Sequence, residues 1–190
     1  MHVGESVCAW RFEQCGEGDF RPRLVSGGDA DFEIGSLYGL FAKQREANNT
    51  LRKIAEAYQL CPIVLGLKKT ARQTMSGSRA CFVYQLHQCK GACIGKEPIS
   101  LHSARMMSGL AKLKLKAWPY GGPVGLVERE GFLDLEDVHL VDNWRYLGTA
   151  KSDIEVDELL SHAAQVPFDR DTYRLLLSHL VKGKVSVRRF

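Results

Sequence analysis

Apolar residues Ala47, Leu51, Ile54 and Tyr58 recur at steps of four, three and four, the spacing of one helical face, and predict a helix over residues 43–58. Its opposite face carries Lys43, Arg45, Glu46, Asn48, Asn49, Arg52, Lys53 and Glu56. A second apolar face, begun by Met106 and continued by Leu110 and Leu113, predicts a helix over about 100–113. Ser152 followed by Glu155 is a capping box that opens a helix to about residue 163. Asp169 or Asp171 caps a last helix, whose stripe Tyr173, Leu176, Leu177 and Leu180 runs up to Gly183. Short apolar runs at 7–13 and 23–25, separated by turn formers at 16–19, read as a first strand pair. Residues 124–129 and 138–147 read as strands around a polar connection at 130–137. The fold class expected is α+β: a small N-terminal β unit over 1–36, a helical four-cysteine region over 37–116, and a short antiparallel sheet with C-terminal helices over 117–190.

Composition adds little to this picture, but charge changes it. The 190 residues are 45% hydrophobic and 25% charged, which fits a globular chain and excludes a disordered one. No apolar run reaches the ~18 residues of a membrane span, and the first residues lack the basic-then-apolar order of an export signal. A cytoplasmic protein with no membrane partner is the expectation. The net charge of +4 conceals three unequal blocks. Residues 1–36 hold 3 basic and 7 acidic groups, residues 37–116 hold 14 and 3, and residues 117–190 hold 9 and 12. The middle block is thus a polycation, a composition suited to polyanionic partners. Lys112, Lys114 and Lys116 have a simpler account, since positive charge at a helix C-terminus is favoured by the helix dipole.

Four of the six cysteines, Cys61, Cys81, Cys89 and Cys93, lie in that basic block, spaced C-x19-C-x7-C-x3-C. Free thiols are expected in a reducing compartment, so the choice lies between buried unligated cysteines and one metal site. A straight helix would hold Cys81 and Cys89 about 12 Å apart, so a shared ion requires the chain to fold back between them. Only Cys89 and Cys93 obey the short gap usual for zinc, whereas an iron-sulfur cubane is wider and tolerates looser spacing. Spacing leaves zinc and iron-sulfur open. Four thiolates around either would carry net negative charge, for which Lys68, Arg79, Lys90 and Lys96 supply counter-charge. His87 lies between ligand candidates and reads as a surface residue.

The chain resembles a known family through specific runs. These are Leu37-Tyr38-Gly39-Leu40-Phe41, Leu60-Cys61-Pro62, Leu65-Gly66-Leu67, Arg79-Ala80-Cys81-Phe82-Val83-Tyr84-Gln85-Leu86 and Cys89-Lys90-Gly91-Ala92-Cys93-Ile94-Gly95-Lys96-Glu97. The likeness continues through Trp118-Pro119, Val127-Glu128, His139-Leu140-Val141-Asp142-Asn143-Trp144, Leu147-Gly148 and Phe168-Asp169-Arg170-Asp171-Thr172-Tyr173. Together they resemble the UvrC/Cho family of bacterial excinucleases, and the tail segments favour its Cho branch or fusions of a proofreading-type exonuclease with a Cho-like region. The resemblance implies a role in nucleotide-excision repair, where the family cuts damaged DNA on the 3′ side of a lesion. The family's GIY-YIG nuclease uses tyrosines, an arginine and a metal-binding glutamate. The sequence contains no Tyr-Ile-Gly, and Tyr38-Gly39 belongs to the later cysteine-domain motif, so no catalytic residue is expected. The resemblance also implies a [4Fe-4S] cluster on Cys61, Cys81, Cys89 and Cys93, with Zn as the alternative.

The expected function is therefore a non-catalytic, DNA-engaging part of an excinuclease. Damaged double-stranded DNA is the expected partner, contacted through Lys43, Arg45, Arg52, Lys53, Lys68, Lys69, Arg72 and Lys90. A GIY-YIG nuclease or a UvrB-type repair protein is the further partner. The alternative is a metal-stabilised module that docks a separately encoded nuclease or exonuclease. Asp169 and Asp171 read as helix caps and not as a metal pair.

Overall fold

The computed structural model describes residues 7–68, 80–130, 135–181 and 186–190. Among these residues the chain forms five α-helices and two antiparallel sheets, an α+β architecture, in two compact units, Ser6–Leu115 and Lys116–Phe190. No helix among them is long and apolar enough to cross a membrane.

In the first unit, β1 (Cys8–Gly16) and β2 (Asp19–Ser26) form a hairpin that turns where the Gly-rich segment predicts, with Gly16 facing Asp19 across the turn. β3 (Leu37–Phe41) pairs with the other edge of β1, giving the order β2-β1-β3 and joining the basic block to the first-block hairpin in one sheet. Three helices follow: α1 (Gln44–Ala57), a single turn α2 (Phe82–Gln85) and α3 (Ile99–Leu110). The core is built as the periodicity requires, with Ala47, Leu51 and Ala55 of α1 packed with Cys8, Trp10 and Phe41 of the sheet and Met106 and Leu110 of α3. α1 and α3 approach closely because residue 109 is glycine: a Cβ there would lie 2.8 Å from Cγ2 of Ile54.

α3 stops at Leu110, three residues before the predicted end, and a 3-10 turn over Ala111–Leu113 completes it. No basic residue falls in its last α-turn; Lys112 falls in the last turn of the 3-10 extension, where the dipole account still applies, and Lys114 has a specific contact instead. Lys114 Nζ sits 4.7 Å above the ring of Tyr38, a cation–π contact, and 3.3 Å from its hydroxyl.

The second unit is a four-stranded sheet of order β6-β5-β4-β7: β4 (Val124–Glu130), β5 (Leu135–Asp142), β6 (Arg145–Ala150) and β7 (Ser186–Arg189). The single strand predicted at 138–147 is instead a hairpin. Asn143 and Trp144 both take left-handed φ, +47° and +64°, which is the backbone of a two-residue turn that matches strand twist. Without a glycine at either position, Asn143 was the turn's one local signal, since asparagine tolerates the left-handed region. β7, which pairs with β4, was likewise not expected. α4 (Asp153–Ser161) begins at the predicted cap, where Ser152 Oγ accepts the Glu155 amide and Glu155 accepts the Lys151 amide. It ends two residues before residue 163. α5 (Arg170–Val181) is capped by Asp169 and not by Asp171: Oδ2 of Asp169 accepts the Thr172 amide at 2.6 Å.

Aromatic rings organise this unit. Trp144 packs edge-on against Trp118 and Tyr173, with centroids 5.1 Å away in each case, and Phe168 lies beyond Tyr173. Their polar tips hold the backbone of one residue at both its amide and its carbonyl. The Lys116 amide donates to Oη of Tyr173 at 3.0 Å, and the Lys116 carbonyl accepts from Nε1 of Trp144 at 3.0 Å.

Candidate metal centre

The centre lies in the first unit and is assembled by two helix endings of the same kind. α1 ends with Gln59 in the left-handed region, φ +51°, and the Leu60 and Gln59 amides donate to the carbonyls of Ala55 and Glu56. That is a Schellman motif, completed by apolar contact of Leu60 with the core. The next residue is Cys61. α2 ends identically: His87 has φ +58°, and the Gln88 and His87 amides donate to Val83 and Tyr84. The next residue is Cys89. Each helix thus delivers a cysteine two residues after a left-handed residue, and α2 is the fold-back that C-x7-C needs.

The thiols of Cys61, Cys81 and Cys89 are buried and lie within 4.8 Å of one another, and this group could hold a metal ion. Cys81 Sγ stands 3.9 Å from that of Cys61 and 3.6 Å from that of Cys89. Cys93, half-buried, packs against the three, and its thiol interacts with those of Cys61 and Cys81. Two sulfurs sharing a tetrahedral ion at ~2.3 Å each stand ~3.8 Å apart, so the trio has the dimensions of a single-ion site. A cubane gives each thiolate its own iron and therefore spaces the sulfurs more widely.

Backbone amides point at all four sulfurs. Cys81 Sγ accepts the Tyr84 amide at 3.4 Å; Cys61 accepts from Val64 and Ile63, Cys89 from Gly91, and Cys93 from Cys81. Such bonds favour the ionised form that a metal requires. Glycine is required at 91, where φ is +78° and a Cβ would stand 2.7 Å from the Tyr84 ring. Burial raises the thiols of Cys81, Cys89 and Cys93, the last to about 11. Burial acts on Cys61 as well, yet its bonds from Val64 and Ile63 bring it below the ordinary value. Metal binding here must displace protons.

Three residues outside the cysteines fix the frame, two of them buried, His102 and Glu97. His102, on α3 four residues before Met106, accepts the Cys61 amide on Nε2 at 3.0 Å. Burial lowers its pKa, keeping the ring neutral and able to accept. Arg105 pairs with buried Glu97 at 2.6 Å and donates to the carbonyls of Tyr58 and Gln59 at the end of α1. Sequence reading passed over all three. Extending the Met106–Leu110 face one turn toward the N-terminus would have reached His102, whereas the Arg105–Glu97 pair left no signal.

The predicted cationic contacts are spread over the same unit. Lys43 precedes α1, Arg45, Arg52 and Lys53 lie on it, and these four, with Lys68 and Lys90, are exposed. Arg52 and Lys68 line one cavity. Lys69 and Arg72, the counter-charge candidate Arg79, and the rest of the loop at 69–79 lie outside the described residues.

With this geometry in view, comparison with known proteins gives the class. Residues 7–112, which hold all four cysteines, match the family model of the UvrC/Cho excinuclease middle domain, and residues 123–190 match that of the excinuclease Cho C-terminal domain. The class is excinuclease-related. The chain belongs to the UvrC/Cho excinuclease family. It is 34% identical over 168 residues to excinuclease Cho of Escherichia coli K12 and of Shigella flexneri, covering 88% of this chain and 54% of those proteins. With excinuclease Cho of Salmonella typhi it shares 33% over 165 residues, 86% of this chain and 53% of that protein. The chain spans about half the length of the curated relatives it matches. No solved structure matches it.

Proposed function

We propose that the chain is a non-catalytic, DNA-engaging part of a Cho/UvrC-type excinuclease, acting in nucleotide-excision repair beside a GIY-YIG nuclease that makes the 3′ incision. The observation that carries this reading is the basic block: 14 cations against 3 acids over residues 37–116, with Lys43, Arg45, Arg52, Lys53, Lys68 and Lys90 all exposed. Family membership supports DNA as the polyanion. Each neutralised phosphate releases counterion, so affinity for duplex DNA falls steeply between ~50 and ~200 mM salt, and replacing Arg45 and Lys53 with alanine lowers the salt slope by about two. Undetectable binding at ~50 mM salt, or binding indifferent to salt, overturns the reading.

The metal centre serves as a structural pin in this proposal, held by Cys61, Cys81, Cys89 and Cys93. Resemblance supports a [4Fe-4S] cluster. The second reading, a single zinc ion, is favoured by the sulfur separations of 3.6 and 3.9 Å. Iron, sulfide and zinc analysis of anaerobically purified protein, with its visible spectrum, separates the two.

A further inference from the structure

Beside the metal centre lies a cavity of about 680 Å³, a volume typical of ligand sites. One wall is the C-terminal half of α1 with Arg52, Glu56 and Gln59; Pro62, Leu67 and Lys68 continue it. The facing wall is Phe82, Val83, Leu86, His87 and Gln88. Every residue of that second wall falls between Cys81 and Cys89. The wall is therefore the seven-residue bridge between two candidate ligands, fixed at both ends by the thiols that converge there.

This wall is unusual in what it exposes. Phe82 is 64% and Leu86 48% exposed. An apolar ring and an isobutyl group face solvent across from a guanidinium and an ammonium. The α1 side continues as a polar row at helical spacing, Arg45, Asn49 and Arg52, in which Asn49 Oδ1 accepts from Arg52 Nη1 at 2.8 Å and holds that side chain along the helix. Glu56 is the only acid among the described residues of the lining, against Arg52 and Lys68. An apolar helix from a protein partner would be served poorly by two desolvated cations. A nucleotide presents what the groove lacks on each side: a flat π-face for the phenyl ring and a phosphate for the cations.

Building on the DNA-engaging reading above, we propose that this groove captures one unpaired nucleotide, its base stacked on Phe82 and packed by Leu86, its phosphate held by Arg52 and Lys68. Base–aromatic stacking is tolerant of sequence, so the site reads the availability of an unstacked base and not its identity. That is the chemistry that distinguishes distorted duplex from intact duplex. The metal centre then has a direct part in recognition, since it sets the position of the stacking platform.

The test compares the metal-loaded full chain on two probes, a short duplex with one bulged thymidine and the same duplex fully paired. The expected result is about tenfold tighter binding of the bulged probe, and loss of that preference in Phe82→Ala with paired-duplex affinity unchanged. A fluorescent adenine analogue placed in the bulge should be quenched by the wild type and not by Phe82→Ala. Equal affinity of the wild type for both probes, or a preference that survives Phe82→Ala, overturns the groove proposal while leaving the duplex-binding function standing. Failure to bind either probe overturns both. Phe82→Tyr retains a π-face and should retain the preference, which separates stacking from a folding defect.

Discussion

His102 and Cys61 are joined by a single bond across the first unit, from the Cys61 amide to Nε2 of the imidazole, 3.0 Å long and fully buried. A neutral histidine acting as acceptor is the reason a candidate metal ligand just after α1 is referenced to the first turn of α3. Replacing His102 with leucine leaves the buried Cys61 amide unpaired, for which about 1–3 kcal/mol is expected. The measurement is the denaturant midpoint at unchanged m-value, together with retained metal per chain.

Thiol replacement should separate the four clustered cysteines from Cys15. Serine at Cys61, Cys81 or Cys89 is expected to abolish stoichiometric metal and lower the melting temperature, with Cys93→Ser weakening retention. Exposed Cys15→Ser should leave metal content unchanged. A chelator-treated wild type that melts with the untreated protein would contradict a structural metal.

Gln59 occupies a left-handed position that glycine fills at lower cost, and its amide and carbonyl engage the same partners whatever the side chain. Gln59→Gly should therefore stabilise the protein by about 0.5–1 kcal/mol, an increase where most substitutions give a loss. Thermal or chemical unfolding reads it directly.

Gly91→Ala is the opposite case. A methyl group would have to displace the Tyr84 ring 2.7 Å away and sit at φ +78°. A cost of about 1–3 kcal/mol is expected, with lower metal affinity by competition against a chromophoric chelator.

The Asp169 cap carries a pH signature. Its carboxylate accepts the Thr172 amide, which holds its pKa below the ordinary value. Because the folded value is the lower one, the charge-dependent stability is present above the unfolded carboxylate pKa, ~3.9, and disappears as pH falls through the folded value. Asp169→Ala should cost about 1 kcal/mol at neutral pH, and the gap from wild type should narrow in acid. The charged part is the smaller share, since the group is exposed and screened.

The α1 face, the first hairpin and the cap positions Ser152 and Asp169 were legible in the sequence because each rests on local chemistry: periodicity, turn formers, a side-chain acceptor at a fixed offset. What escaped depends on tertiary context. The Asn143–Trp144 turn uses left-handed residues that glycine usually supplies, and Trp144 is held there by its rings and by the Lys116 carbonyl. Periodicity placed the end of α1 at residue 58, where its C-cap lies, whereas His87 hid the ending of α2 for the same reason. The four cysteines were recognisable as a group by count and charge and a shared site was expected, but the means was not: α1 and α2 end alike and so deliver Cys61 and Cys89 to one place.

The seven residues between Cys81 and Cys89 are tethered at both ends to one small centre, so their number is constrained far more tightly than their identity. Adding or deleting a residue there would pull a sulfur away from its neighbours. Exchanging the outward side chains at 82, 86 or 87 leaves the tether intact. Such a segment can be re-sequenced by evolution or by an engineer to present a different surface on the same anchored stem.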